Sequence, residues 1–208
     1  MRRKQFKPEP RACITWRALI ALGLLLVVAA CVTRQAGMSA AASAEDLREA
    51  ARRGDLSRVE DLLARGASVD ERDDVGVTAL MEAARAGRAQ VCRCLLAHGA
   101  GVNARAHCHG TALMMATLHD RVEAVEVLLQ HGADPNIRSD INSTPLLMAV
   151  LQEDARIVQL LLQAGADPEA QTDAHEPLTK IARECGHAEI AAIVQESIDA
   201  KQFKRARR

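Results

Sequence analysis

Aromatic residues are almost absent from this chain of 208 residues. The only three are Phe6, Trp16 and Phe203, and there is no tyrosine. Proteins that bind single-stranded nucleic acids stack the bases on aromatic side chains, so the composition argues against this function. The hydrophobic core must be built from alanine, leucine, valine, isoleucine, methionine and cysteine, which suits closely spaced layers of helices.

Recognisable catalytic motifs are also lacking. The sequence contains no glycine-rich phosphate-binding loop and no serine in a nucleophile-elbow motif. We therefore predict that the chain is not an enzyme, has no catalytic residues, and binds neither a cofactor nor nucleic acid.

One short cluster has the chemistry of metal ligands, namely His107, Cys108 and His109. Imidazole and thiolate groups bind zinc or copper ions. Adjacent residues on a hairpin rarely converge on one ion, and the spacing fixes no fourth ligand, although His119 or His175 could approach. The main prediction therefore has no metal site. A metal-binding or enzymatic periplasmic protein that uses this cluster stays as the alternative.

Charge is balanced overall but unevenly distributed along the chain. There are 27 basic and 27 acidic residues, and residues 31–200 contain 16 of the basic and 26 of the acidic ones. An acidic body repels the phosphates of nucleic acids. It favours partners with basic surfaces.

The segment 1–30 has the pattern of an export signal. It includes six basic residues and one acidic residue, and it ends in a continuous apolar run from Ala18 to Ala30. A membrane-spanning helix needs about 20 apolar residues, so this run is short for a span. Its length is typical of the apolar part of a signal peptide, which we predict for residues 1–30.

The end of this run, Val28-Ala29-Ala30-Cys31, resembles the lipobox of bacterial lipoproteins. The resemblance implies that the Cys31 thiol receives a diacylglyceryl group and that Cys31 becomes the mature N-terminus. Residues 31–43 are mostly small and lack apolar periodicity, so we predict a lipidated cysteine followed by a flexible tether. Val32 stands where an aspartate would imply retention in the inner membrane, which favours the outer membrane and a periplasmic domain.

Other interpretations of this leader stay open. Cleavage at a small-x-small site such as Ala42-Ser43-Ala44 would release a soluble secreted protein. An uncut segment would act as a signal anchor. If the leader has another role altogether, the chain would be a cytosolic or host-directed effector.

An internal repeat of constant period dominates the rest of the chain. Similar segments begin at Thr78, Thr111 and Thr144, and the first of them reads TALMEAARAGRAQVCRCLLAHGAGVNAR. Glycines recur with the same spacing, at Gly66, Gly99, Gly132 and Gly165. One unit of this size cannot bury its own apolar face, so the repetition predicts a solenoid of stacked units.

These repeats resemble ankyrin repeats. Parts of the family pattern T-P-L-H-x-A-A…G-H-x-x-V-V-x-L-L-L-x-x-G-A-D-x-N are present as Thr144-Pro145-Leu146, as residues 125–129 and as Gly132-Ala133-Asp134-Pro135-Asn136. The resemblance covers residues 44–200. It implies an all-α solenoid of about five helix-turn-helix repeats joined by β-hairpin-like loops, in a family whose members serve as protein-interaction scaffolds.

Several residues have predicted structural roles within the repeats. Thr78, Thr111 and Thr144 lie where a hydroxyl group would cap the first helix of a unit. His98 and His131 precede the glycines that end the second helix, where a partly cationic side chain suits the helix C-terminus.

The last repeat departs from this pattern. Pro177 is predicted to open its first helix, one residue earlier than the register of the other repeats requires.

Cysteines of the repeats are predicted to be structural. Cys92 and Cys94 stand where the other repeats have valine or leucine, so we expect both in the core. Cys185 is expected near a helix end.

The C-terminal segment, residues 201–208, reads KQFKRARR and has no apolar pattern. We predict a basic tail, separate from the repeat domain, that frays in solution. Such a tail could also contact anionic lipid head groups or an acidic partner.

The resemblance implies a protein-binding surface formed by hairpin tips and by the first helix of each unit. The candidate contact residues are Asp74, Val75, Val77, Arg85, His107, Cys108, Leu118, His119, Ile141, Ser143, Leu151 and Gln152. Leu118 and Leu151, flanked by Val75 and Ile141, would form an apolar stripe with a polar rim, as the cores of interfaces do. Local packing could equally close this stripe.

We therefore predict a monomeric scaffold that binds an unidentified protein partner. It would be tethered through Cys31 to the periplasmic face of a bacterial membrane.

Overall fold

A computed structural model describes residues 46–106, 110–139, 143–170 and 176–207, all within a compact unit that spans Ser43–Arg208. Ten helices lie in these ranges and pair along the chain into five repeats. They are α1 (46–53), α2 (Leu56–Ala64), α3 (Ala79–Arg85), α4 (Ala89–Ala97), α5 (Ala112–Leu118), α6 (Val122–Gln130), α7 (Pro145–Leu151), α8 (Ala155–Gln163), α9 (Leu178–Glu184) and α10 (Ala188–Ala206). We call the first helix of each pair inner and the second outer. The predicted all-α solenoid of five helix pairs is confirmed.

Hydroxyl caps begin the three regular inner helices, α3, α5 and α7. The side chains of Thr78, Thr111 and Thr144 each accept a hydrogen bond from the backbone N–H three residues later, at 3.2 to 3.4 Å. This confirms the predicted caps. Pro177, predicted to open the last inner helix, is the residue that precedes its first turn.

Turns with a positive φ angle follow the helices, and these turns recur with the repeat period. The predicted glycines after the outer helices have φ between 82° and 92°. The turn between inner and outer helix is also left-handed in each repeat, at Gly54, Gly87, Asp120, Glu153 and Gly186. Only glycine adopts this conformation at no steric cost, so Asp120 (φ 60°) and Glu153 (φ 63°) are strained positions.

Small apolar side chains fill the space between the helices. The inner helices contribute alanines such as Ala83, Ala116 and Ala149, which are fully buried. Larger side chains on the outer helices, including Leu128 and Leu161, are also fully buried and complete the core. Since alanine ends at Cβ, neighbouring helices approach closely and the core of the described residues needs no aromatic ring.

Cysteine positions agree with the prediction in part. Cys92 is a free, fully buried thiol in the register position of Val125, as expected. Cys94 is only half-buried at the edge of the core, and its Sγ lies 3.8 Å from His98 Nδ1, so its predicted core position is wrong. Cys185 is exposed at the C-terminal end of α9, as predicted.

Histidines close the outer helices as the sequence predicts. His98 Nδ1 lies 2.8 Å from the carbonyl oxygen of Cys94, and His131 Nδ1 lies 2.8 Å from that of Val127. Each ring therefore contacts a carbonyl in the last turn of its helix that also accepts the backbone N–H of the same histidine, at 3.1 and 3.2 Å.

A row of side chains after the outer helices ties each repeat to the next. Asn103 and Asn136 each accept a hydrogen bond from the backbone N–H 31 residues later, at 2.9 and 2.8 Å. Each also donates to the carbonyl 29 residues later, at 3.4 and 3.0 Å. In the first repeat, Asp70 accepts from the N–H of Gly101 in the same way. We call Asp70, Asn103 and Asn136 the hairpin ladder.

Arginines reinforce the first two interfaces between repeats. Arg88 lies over Gly54, where an added Cβ would come within 2.8 Å of the arginine Cδ, and Arg121 lies over Gly87 in the same way, at 2.7 Å. Their Nε atoms donate to carbonyl groups of the preceding repeat, at 3.3 and 3.4 Å. The glycines thus provide space as well as the turn. The corresponding residue of the fourth repeat is Asp154.

The last outer helix is longer than the sequence suggests. It has 19 residues, against nine in each of the other four outer helices. Residues 201–206, expected to fray beyond a domain boundary at residue 200, continue α10, so that expectation is wrong for them. Lys201 Nζ lies 2.5 Å from Asp167 Oδ1 and 2.9 Å from Glu169 Oε2, and Arg205 lies 3.2 Å from the same Glu169 oxygen. These ion pairs hold the added turns against the fourth repeat.

Some predicted features lie outside the described residues. They are the signal peptide, the tether with Cys31, the cleavage site Ala42-Ser43-Ala44, the cluster His107-Cys108-His109, His175, and Ile141. Within the described ranges, no helix combines the length and the apolar character needed to cross a membrane.

Candidate partner-binding surface

One register position, at or next to the end of each inner helix, faces solvent along the stack. We call it the inner-helix row, and its members, which recur with the repeat period, are Arg52, Arg85, Leu118, Leu151 and Glu184. The row is charged at both ends and apolar in the middle. It contains three of the predicted contact residues.

The apolar middle of the row consists of Leu118 and Leu151. Their exposed fractions are 42% and 53%, although leucine is usually buried. They occupy the last position of α5 and of α7, two inner helices that pack against each other. Local packing therefore does not close this part of the predicted stripe.

His119 and Gln152, which follow these leucines directly, bond to backbone groups. Gln152 Nε2 donates to the carbonyl of Leu118 at 3.1 Å and so connects the fourth repeat to the third. His119 Nδ1 lies 3.0 Å from the carbonyl oxygen of Met115. These bonds fix the ends of both helices and hold the two leucines at a constant separation.

On the side of the first two repeats, the surface is lined by ion pairs. Arg85 lies 2.7 Å from Glu82, and Glu49 lies 2.7 Å from Arg52 and 2.6 Å from Arg53. The hydrogen bond from Arg52 lowers the pKa of the Glu49 carboxyl to about 2, so Glu49 is ionised at neutral pH. The arginines are therefore largely neutralised, and they form a polar border rather than a strongly basic patch.

The first hairpin loop has one exposed apolar residue and one buried one. Val75 is 49% exposed at its tip, next to exposed Asp74, as predicted. Val77 is only 6% exposed, so its prediction as a contact residue is wrong. The chain turns at Gly76, where φ is 80°, and the N–H of Val77 donates to the Asp73 carboxylate at 2.8 Å. This turn places the Val77 side chain in the core.

Ser143 closes the base of a later hairpin loop. Its N–H donates to the Ser139 hydroxyl at 3.1 Å, and its carbonyl accepts from the Ser139 N–H at 2.9 Å. The remaining predicted contact residues, His107, Cys108 and Ile141, lie outside the described residues. In the part of the chain that is described, no three His, Cys, Asp or Glu side chains are grouped so as to hold a metal ion.

Two members of the inner-helix row were missed by the sequence analysis. Arg52 lies one repeat period before Arg85, and Glu184 lies one repeat period after Leu151. The repeat period contains the signal that would have found them. The other motif positions of the two terminal repeats are atypical, which hides this signal.

Comparison with known families agrees with this geometry. A profile described as "Ankyrin repeats (3 copies)" matches residues 47–139, and one described as "Ankyrin repeat" matches residues 142–173. Together they cover more than half of the chain. The chain is an ankyrin-repeat protein. Its fifth helix pair, α9 and α10, lies beyond the matched residues.

No curated protein matches the chain significantly. Ankyrin repeats bind protein partners, and the family is typically a non-enzymatic scaffold. This ankyrin-repeat chain therefore has the architecture of a protein-interaction scaffold.

Proposed function

We propose that this ankyrin-repeat protein is a scaffold tethered to the bacterial envelope, and that its inner-helix row binds another protein. The observation that supports a docking surface is the pair of exposed leucines, Leu118 and Leu151, on adjacent inner helices. Apolar residues grouped on a polar surface are typical of interaction sites.

The partner would present apolar side chains to this pair. Full burial of a leucine side chain contributes about 1.5–3 kcal/mol, and since each of these leucines is already about half buried, a partner would gain roughly half of that from each. The ion-paired arginines Arg52 and Arg85 on one side, and Glu184 on the other, would form its polar rim.

The proposed tether is the lipidated Cys31. Stable membrane anchoring requires two lipid signals, which a diacylglyceryl group on the thiol supplies. The following residues, up to residue 43, would hold the repeats away from the lipid surface. Val32 favours the outer membrane, with the repeats on its periplasmic face.

The docking surface is tested with Leu118→Arg/Leu151→Arg in the full chain. The matched control is Gln130→Arg/Gln163→Arg, which adds the same two charges at exposed ends of the outer helices in the same two repeats. After cross-linking in the envelope and purification, a partner protein should accompany the wild type and the control and be lost from the leucine variant.

Thermal unfolding of the purified variants supplies the second measurement. Because both leucines are exposed, we expect the unfolding midpoint to stay close to that of the wild type. Equal capture by all three proteins, or unfolding of the leucine variant alone, would contradict the assignment of this surface.

The tether is tested separately with Cys31→Ser. Labelling with radioactive palmitate and membrane fractionation should both change, with the label absent and the protein no longer in the membrane fraction. Labelling of the serine variant at the wild-type level would rule out lipidation at Cys31.

A further inference from the structure

The last turns of α10 expose an aromatic ring that the fold does not use. Phe203 is 62% exposed, and it is the only aromatic residue in the described part of the chain. The guanidinium carbon of Arg207 lies 5.0 Å from the centre of its ring, a cation–π contact. A large apolar ring in water, bordered by cations, is a feature of surfaces that bind a partner or a membrane.

Cations in this segment fall into two groups. Lys201 and Arg205 are neutralised by Asp167 and Glu169 of the fourth repeat. Lys204 and Arg207 are exposed, and no carboxylate of the described residues pairs with either. Their charge is therefore available to a partner.

Helical geometry places Phe203 and Arg207 away from the two neutralised cations. Residues four apart share a face, so Phe203 and Arg207 lie together. At about 100° per residue, that face is nearly opposite the one that carries Lys201 and Arg205. One side of the helix thus binds the fourth repeat and the opposite side presents the ring and Arg207 to solvent, while exposed Lys204 lies on the flank between them.

The charge of this end contrasts with that of the rest of the protein. Residues 31–200 contain 26 acidic and 16 basic residues, whereas residues 201–208 contain five basic and no acidic residues. An anionic surface would attract this end and repel the body, so it would bind the molecule in one orientation.

We propose that the last two turns of α10 dock on an anionic phospholipid surface through Phe203, Lys204 and Arg207. The phenyl ring would enter the region between head groups and acyl chains, where aromatic rings of amphipathic helices lie. The two cations would contact lipid phosphates, to which an anionic surface attracts them.

This contact is weak by itself, and membrane attachment elsewhere in the chain would make it effective. A second attachment point raises the local concentration of the helix end at the membrane, so a weak contact can fix the orientation of the repeats. The docking itself does not depend on lipidation of Cys31 or on the protein partner at Leu118 and Leu151. It can therefore be tested whether or not those proposals hold.

The test uses the full chain with Trp16→Phe and Phe203→Trp, so that the only indole reports on the end of α10. The protein is reconstituted into vesicles of phosphatidylcholine, with or without about one-third phosphatidylglycerol. We expect a blue shift of the indole emission, and quenching by brominated lipid, in the anionic vesicles only. Salt at about 0.5 M should reverse both, because it screens the contact.

The role of the two cations is tested by reversing their charge and, as a control, reversing the charge of two arginines elsewhere. Lys204→Glu/Arg207→Glu should abolish the shift, whereas Arg93→Glu/Arg183→Glu, which changes two exposed arginines elsewhere by the same charge, should retain it. Far-UV circular dichroism checks that helix content is equal in the two. If the first pair lowers helix content, Lys204→Gln/Arg207→Gln replaces it, with the same expectation.

Three outcomes would overturn the proposal. In the first, the emission maximum is the same in both kinds of vesicle, or neither the charge-reversing nor the neutralising substitutions of Lys204 and Arg207 alter it. In the second, polyglutamate produces the shift as well as the lipid does, which identifies an acidic protein surface as the partner. In the third, the shift depends on protein concentration without lipid, which identifies a second copy of the chain.

Discussion

Asn136 and Asp167 are joined by a hydrogen bond of 2.8 Å, from the backbone nitrogen of Asp167 to the side-chain oxygen of Asn136. The nitrogen of the same amide donates to the carbonyl of Gly165 at 3.0 Å. One side chain thus acts as acceptor and donor to the backbone of the next repeat. A neutral amide supplies both groups, whereas an ionised carboxylate accepts only.

We expect Asn136→Ala to destabilise the repeat domain by about 1 kcal/mol, since two hydrogen bonds between repeats are lost at an exposed site. The measurement is urea denaturation followed by circular dichroism. Gln130→Ala, at the exposed end of the preceding outer helix, is the control and should change the free energy of unfolding by less than about 0.5 kcal/mol. Equal stability of the two variants would show that the hairpin ladder contributes nothing.

Glu153→Gly should stabilise the protein, because residue 153 has a left-handed backbone with φ of 63°. Relief of this strain and the entropic cost of glycine partly cancel, which leaves a gain of about 0.5 kcal/mol. The exposed carboxylate of Glu153 lies 3.2 Å from Nδ1 of His187, whose side chain is mostly buried, so loss of this contact offsets part of the gain. Ala86→Gly, at a position with φ of −81°, should instead destabilise the fold. Thermal denaturation of both variants measures the contrast, and a loss of stability in both would disprove it.

The interface between the third and fourth repeats brings two carboxyl groups together. The hydrogen bond to Asp154, partial burial and the charge of Asp154 together raise the pKa of Asp120. A raised pKa in the folded state means that Asp120 contributes stability below its unfolded pKa, and that this contribution is lost as pH rises through the folded pKa. The same hydrogen bond lowers the pKa of Asp154, which offsets part of this loss, so Asp120 is only mildly unfavourable at neutral pH.

Asp120→Asn supplies a hydrogen-bond donor toward Asp154 and removes the charge, so we expect a gain of a few tenths of a kcal/mol at neutral pH, limited by solvent screening. The gain should vanish at about pH 3, where Asp120 is protonated in the wild type. Denaturation at several pH values measures it, with exposed Glu196→Gln as the control that lacks this dependence. A gain that stays constant with pH would show that the two carboxyl groups do not interact.

Burial raises the pKa of the Cys92 thiol to about 12, whereas Cys185 is exposed. Since the thiolate is the reactive form, iodoacetamide should modify Cys185 in the folded protein at least ~100-fold faster than Cys92. Mass spectrometry of the peptides gives both rates, and they should become similar in urea. Rapid labelling of Cys92 without denaturant would mean that α4 opens readily from the core.

Local features of the fold could be read from the sequence. Thr144 caps a helix within three residues of itself, and Gly99 ends one, so neighbouring residues contain the whole signal. The same repeat period shows that Asp120 and Glu153 replace the turn glycines of the first two repeats. Repetition therefore predicted the architecture, whereas the positive φ of these two residues is seen only in the structure.

Contacts between repeats could not be predicted in this way. The helix at residues 201–206 depends on carboxylates of the preceding repeat, far from it in sequence, so its own composition resembles that of a free tail. Val77 comes two residues after exposed Val75, and the turn at Gly76 between them places its side chain in the core. Exposure of Leu118 and Leu151 depends on how two helices meet, which the sequence pattern left undecided.

Glu169 occupies the register position that follows Asn136 in the hairpin ladder. Its carboxylate is held by Lys201 and Arg205 of α10 instead of by a backbone group of a further unit. An additional repeat, or another copy of the chain approaching end to end, would have to displace two salt bridges before it could dock there. The lengthened α10 thus occupies the place where the hairpin ladder would otherwise continue.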